Sequence, residues 1–465
     1  MTVHIIDIAI ISAYFVLVFT VGIMRTKASS SADYLVMGRK LSLPAFVMTL
    51  VSTWYGGILG VSEYSTSYGI SNWVIFGLPY YVFGIAFALL VAKRARALEV
   101  NSLPEILVLD YGKTAGRLAS IWVLLLASPA PYVLTLGIIL NFFFGLNLTI
   151  AIIAGAVFSL FYILQGGFTS VVKTDKIQFV FMFSGFLIIL IVLWSSFKNP
   201  IALWESLPDS HRSFTGGQSL AYIIVWFFIG SWTLVDPGFH QRVYATTTPR
   251  VAKHGILWAV CFWFIFDFMT TLTGLYAFSY LPAGTLPSQA FLVLGQSILP
   301  LGLQGIFFIG ILSTVMSTLD SNALISGITL GKDILSTFQR FKSYRVETLI
   351  KVAMIFVLFI GILMAIWIPS VIDLWYTFGT IAIPALLLPT MFSIFHKPLN
   401  RLTVILNLIL PPLVAILWFL LGKIDEWSYF WGLEPFYPGL FCSVLILVLV
   451  NRSEKVKNEK KEKKV

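Results

Sequence analysis

A chain of 465 residues that is 58% hydrophobic and 11% charged is not built as a soluble enzyme, because globular proteins carry about a quarter of their residues as Asp, Glu, Lys or Arg. Its two cysteines, Cys261 and Cys442, lie far apart inside apolar runs, which excludes a disulfide scaffold and a cysteine metal site; both are expected as small core residues. The net charge of +10 suggests an anionic partner until it is sorted by position along the chain.

Apolar runs of roughly 20 residues recur throughout, each long enough to cross ~30 Å of hydrocarbon as a helix. The first, 3–23, is too long for a signal-peptide core and has no basic residues before it and no small-residue cleavage site after it, so it reads as a permanent helix. Further helices are predicted at 45–67, 71–92, 115–143, 147–164, 172–196, 219–237, 252–279, 302–334, 346–367, 371–394, 399–421 and 432–450. The fold class is therefore an all-α polytopic membrane protein with thirteen transmembrane helices.

Taking alternate connections from the 24–43 loop onward, which includes Arg25, Lys27, Arg39 and Lys40, one side of the membrane holds 28 of the 31 Lys and Arg. Arg242 is counted there, in the connection after the 219–237 helix. The other side keeps Lys198, Arg212 and Lys423. The positive-inside rule then puts the N-terminus outside and the C-terminus in the cytoplasm of a cell membrane, plasma or inner. The tail 452–465 is a mixed-charge run that cannot pack a core. It reads as a solvated segment skimming anionic lipid, with no nucleic-acid partner.

Five predicted spans over 44–197 begin inside and five over 198–395 begin outside. Units with an odd number of spans are inverted relative to one another, and transporters built this way bind solute near the midplane on interrupted helices. That leaves 1–43 as an extra N-terminal helix with its loop and 396–451 as two C-terminal helices. Interruptions are expected at the first helix of each unit, and both have the residues for one. "STWYGGILGVSEYSTSYG" carries Gly56-Gly57 mid-span and Gly60 one turn later, and "FFIGSWTLVDPG" carries Gly230-Ser231 followed by Asp236-Pro237.

The run "STVMSTLDSNALISG" places Ser313, Thr314, Ser317, Thr318, Asp320 and Ser321 inside an otherwise apolar helix. A hydroxyl without a partner there costs ~1–2 kcal/mol. The spacings 313/317, 314/317 and 317/321 set these hydroxyls on one stripe. They either bond back to carbonyls one turn earlier or serve as oxygen ligands. Among buried ionisable residues, Asp267 lies mid-helix in "FWFIFDFMTTLTG" and Asp175 near the start of its helix, while Glu63 and Asp236 flank the interruptions. Intramembrane carboxylates are functional candidates. No nucleophile elbow, phosphate loop or His/Cys constellation is present, so the chain is not read as an enzyme.

Three stretches in order, "GGFTSVVKTDKIQ" (166–178), "HQRVYATTTPRVAKHG" (240–255) and "STVMSTLDSNALISGITLGKDIL", resemble the sodium:solute symporter family. The resemblance covers about residues 3–450 and implies a LeuT-type fold, five-plus-five inverted helices with alternating access. It implies Na+ as the coupling ion, held by the carbonyls of Leu50, Thr53 and Gly310 and the hydroxyls of Ser313 and Thr314. Some members use the aspartate matching Asp175 in an additional sodium site, to which Ser317 would contribute; Met316 stands where a further hydroxyl is expected.

For the solute, the resemblance implies a pocket beside the two interruptions, with Trp54, Tyr55 and Gly57 from one, Trp226, Ser231 and Trp232 from the other, and Tyr80, Tyr132 and Tyr376 from neighbouring helices. Hexose carriers place Gln and Glu at positions matching Gly57 and Phe76, which disfavours a hexose. The expectation is a sodium-coupled symporter importing a small polar solute, an amino acid or organic acid. Two alternatives stand: a ligand sensor that keeps the fold, less expected because only a short tail follows residue 450, and a proton-coupled symporter using Asp175 or Asp267. Oligomeric state and stoichiometry stay open.

Overall fold

In hydrocarbon every backbone N–H and C=O has to be satisfied within its own segment, so apolar runs of this kind fold as helices. The structure, a computed structural model, describes residues 4–23, 31–397, 399–424 and 429–462. Arg25 and Lys27 of the first cytoplasmic count, and the last three tail residues, lie outside the described residues. Among the described residues, ten helices are long and apolar enough to cross a membrane, from Ile5–Gly22 to Arg401–Gly422. Leu43–Ser52, Leu148–Leu160 and Phe436–Val450 are shorter apolar helices. The protein is thus a multi-pass helical membrane protein, with three of the thirteen expected spans shorter than the rest.

Val346–Trp367 and Val371–Ile394 coincide with the expected spans. Ile5–Ile23, Pro249–Tyr280 and Arg401–Ile424 also run unbroken over nearly the expected ranges, but other spans break where the sequence reading ran them through. The segment expected at 115–143 divides into Lys113–Leu126 and Ala130–Phe144. Pro129 and Pro131 have no N–H to continue the ladder, which accounts for the division. In the opposite sense, the loop expected between 164 and 172 shrinks to one non-helical residue within Leu148–Ser196, Gly167 at φ 56° and ψ −151°. A side chain there would also strike Tyr34, whose carbonyl oxygen lies 2.7 Å from an ideal Cβ. The last helix runs on into the expected tail, Phe436–Glu462.

Cys261 does not pack in the core: it is exposed on Pro249–Tyr280, while Cys442 is half-buried, and both are free thiols. Those outward faces suit lipid as well as any apolar residue does.

The helix Leu303–Ile328 runs through the middle of the molecule, buried along almost its whole length. Gly310 meets Gly185 so closely that an ideal Cβ on Gly310 would lie 3.0 Å from the Phe181 carbonyl oxygen and 3.1 Å from the Gly185 Cα. Without a hydrophobic drive between helices in lipid, such small-residue contacts give packing its grip. The N-terminal helix Ile5–Ile23 is fastened to the same element. Asp7 Oδ1 accepts from the Gly302 and Gly305 N–H groups at 2.9 and 2.7 Å, capping the start of Leu303–Ile328, and Ser313 donates to the Tyr14 hydroxyl at 3.0 Å.

A candidate solute and ion site between two interrupted helices

The first interruption lies at 53–57, between Leu43–Ser52 and Ile58–Tyr68. Its glycine pair makes room for neighbours. An ideal Cβ on Gly57 would sit 1.9 Å from the Trp375 indole, and one on Gly56 would sit 2.3 Å from the Thr318 Cβ and 2.5 Å from the Tyr132 ring. The second interruption begins at Gly230-Ser231, after Leu220–Ile229, and passes through the short Trp232–Val235 helix to Asp236. Asp236 Oδ1 accepts from the Phe239 N–H at 2.8 Å and Pro237 follows at the first helical position, so the chain restarts as Pro237–Ala245.

Between the interruptions lies a cavity of about 100 Å³. Seven of the nine residues expected at a solute pocket line it: Trp54, Tyr55, Gly57, Tyr80, Tyr132, Trp226 and Trp232. Ser231 and Tyr376 do not. Ser231 is buried at the interruption with no hydrogen-bond partner for its hydroxyl among the described residues. Tyr376 packs behind the wall, its ring 5.9 Å from Trp226 and its hydroxyl donating to Glu434. Its sequence neighbour Trp375 is the residue that faces the cavity. The wall is aromatic: Trp54 stands 4.9 Å from Tyr80, 5.0 Å from Trp263 and 5.5 Å from Phe239, and Phe76 stands 5.0 Å from Trp226.

Two carboxylates and one guanidinium line the same cavity, those of Asp236, Asp267 and Arg242. Asp267 accepts from the Tyr81 hydroxyl at 2.5 Å. Arg242 was counted as a loop charge; it is instead fully buried, inside the protein, on the helix that restarts after Asp236. The Asp-Pro cap and first-turn proline were the sequence signal that the helix resumes, and they place residues 237–245 within the fold.

The residues expected to hold sodium come from two elements, Leu50 and Thr53 from Leu43–Ser52 and its C-terminal end, and Gly310, Ser313 and Thr314 from Leu303–Ile328. Leu50 and Thr53 line the cavity. Ser313 and Thr314 are fully buried on Leu303–Ile328, with Ser313 turned to Tyr14 and Thr314 back-bonded to the Ile311 carbonyl at 2.7 Å. Gly310 faces Gly185 at the helix crossing. The bridge between the two elements is a residue left out of the expected set: Thr318 donates to the Thr53 carbonyl at 2.8 Å and to the Thr314 carbonyl at 2.9 Å. Asp175 and Ser317 do come together, Ser317 donating to Asp175 Oδ1 at 2.6 Å, and Thr49 donates to Oδ2. Arg242 joins them as an ion pair, 3.5 Å from Oδ2.

The model of the sodium:solute symporter family matches residues 34–410. The chain belongs to that family. Sodium/proline symporters of Staphylococcus aureus are similar to it, 24% identical over 341 residues that make up 67% of this chain and 64% of theirs. This symporter-family chain therefore matches a little under two thirds of the length of those relatives. Among solved structures, a Na+-coupled sialic acid symporter in a substrate-bound outward-open state superposes over 96% of both chains, with a TM-score of 0.77 at 19% identity. A manganese transporter of Eremococcus coleocola superposes over 92% of this chain and 98% of its own at a TM-score of 0.50 and 11% identity. At such identities the likeness is one of fold, and the fold is that of the LeuT-type transporters.

Proposed function

We propose that this chain is a sodium-coupled secondary active transporter that imports a small polar solute by alternating access, the solute being an amino acid or organic acid. The observation that carries the reading is the cavity itself: it is bounded by two interrupted helices, small, rich in aromatic side chains and provided with a few fixed polar groups. A hexose needs partners for many hydroxyls, and burying them unpaired is costly. Gly57 and Phe76, where an amide and a carboxylate would serve a sugar, offer neither. Asp236, Asp267 and Arg242 all line the cavity, and Arg242 has Asp175 as its counter-charge, so an amino acid, with an ammonium to offer, suits the site better than a plain acid. Aromatic faces also favour a cationic nitrogen.

Thirteen spans in a five-plus-five inverted arrangement, with the N-terminus outside, belong to the same proposal and rest on the charge asymmetry and the paired interruptions. Leu50, Thr53, Gly310, Ser313 and Thr314 are proposed to carry the sodium ion. Uptake into proteoliposomes under an imposed sodium gradient, at fixed pH and without membrane potential, tests the coupling. A proton gradient driving uptake without sodium, or ligand binding with no uptake at all, overturns it. Competition tests the solute class: amino and carboxylic acids block sodium-driven uptake better than glucose or galactose, and the opposite order rejects the reading.

A further inference from the structure

Arg242 and Asp175 have fully buried side chains in the middle of the molecule, and the guanidinium is spread over oxygens from three other segments. Nη2 donates to the hydroxyls of Thr53 at 2.6 Å and Ser321 at 2.8 Å and reaches Asp175 Oδ2 at 3.5 Å. Nε donates to Thr49 at 3.2 Å, and Nη1 to the Gly238 carbonyl at 3.3 Å. The remaining carboxylate oxygen, Oδ1, accepts from Ser317, which also bonds Ser52 at 3.0 Å. This is the kind of shell a hard cation takes, one carboxylate and a ring of hydroxyls. A cation is already in it.

We propose that the Arg242 guanidinium is the resident cation of the Asp175 oxygen cluster, so that the protein carries one sodium ion per cycle rather than two. A buried carboxylate calls for one counter-charge, and a planar guanidinium with five donors satisfies several oxygens at once where a spherical ion would draw them to itself. A second cation in the same dry cluster would be repelled by the first. The neighbouring residue points the same way: Met316 turns its thioether toward the Tyr14 hydroxyl, 3.9 Å away, and a soft sulfur is a poor sodium ligand. Arg242 also borders the solute cavity, so its fixed charge links the ion shell to the solute wall without an ion of its own to move.

The inference rests on the sodium-coupled reading above but fails separately from it. The test counts radioactive sodium bound per purified full-length chain and follows the Hill slope of sodium-induced thermal stabilisation, with sodium alone as the probe. The wild type and Arg242→Lys bind one ion with a slope near one. Arg242→Gln uncovers the carboxylate, takes up a second ion and moves the slope toward two; Arg242→Gln with Asp175→Asn returns it to one. Two ions on the wild type overturn this inference alone, as does an unchanged count in a folded Arg242→Gln protein. If Arg242→Gln does not fold, the counts on the wild type and Arg242→Lys decide. No sodium on any of them overturns the coupling reading together with this one.

Discussion

Ser313 and Thr314 are both fully buried and both already hydrogen-bonded, one to Tyr14 and the other to its own helix. As proposed sodium ligands they make a sharp prediction. Ser313→Ala or Thr314→Ala raises the sodium concentration for half-maximal uptake about ten- to a hundredfold, because losing one oxygen ligand costs on the order of 1–3 kcal/mol. Folding survives, since alanine is a good helix former; unchanged sodium dependence in both variants rejects the assignment. At the cavity, Asp267→Asn keeps the Tyr81 hydrogen bond but removes the charge. It lowers competition by amino acids at least tenfold while leaving competition by acids without nitrogen little changed, and equal effects on both would count against the ammonium preference. The chemistry of these positions was legible in the sequence, as hydroxyls on a helical stripe and carboxylates in apolar runs. What they bond to was not. Asp175 and Arg242 stand 67 residues apart, and no local pattern says that one buried charge answers the other.

At the scale of the helix, local residue chemistry marked the two interruptions. Gly56 and Gly57 are needed less to unwind the backbone than to let Tyr132, Thr318 and Trp375 lie directly on it. Gly57→Ala therefore displaces the Trp375 indole and abolishes sodium-driven uptake while the protein still reaches the membrane. Retained wild-type uptake rates would show that the indole yields. Gly310→Leu separates Leu303–Ile328 from its neighbour at Gly185 and lowers the melting temperature in detergent by several degrees, consistent with overpacking that costs ~1–3 kcal/mol. The Pro129 division and the one-residue turn at Gly167 escaped the reading for opposite reasons. Hydropathy averages over a window and runs through a proline, and it also demands a polar loop where one glycine suffices.

For the whole molecule, composition and charge carried the reading furthest. They gave a multi-pass helical protein and an ordered set of apolar segments, most of which recur as helices with nearly the expected bounds. Arg242 leaves the loop tally, because it is buried. The asymmetry survives its removal, since the opposite side still keeps only Lys198, Arg212 and Lys423. Two positions separate the possible orientations. Arg212 sits half-exposed on the short Asp209–Arg212 helix, paired with Asp209 at 2.6 Å, and Lys342 is exposed just before Val346–Trp367. The charge rule puts the first outside and the second in the cytoplasm. With Cys261 and Cys442 replaced by serine, a cysteine at 212 reacts with an impermeant thiol reagent added to intact cells, and one at 342 reacts only after the membrane is opened. The reverse pattern turns the molecule over. Labelling of both from outside breaks the alternation of spans between them, and with an even number of crossings separating the two positions the five-plus-five inversion could not stand.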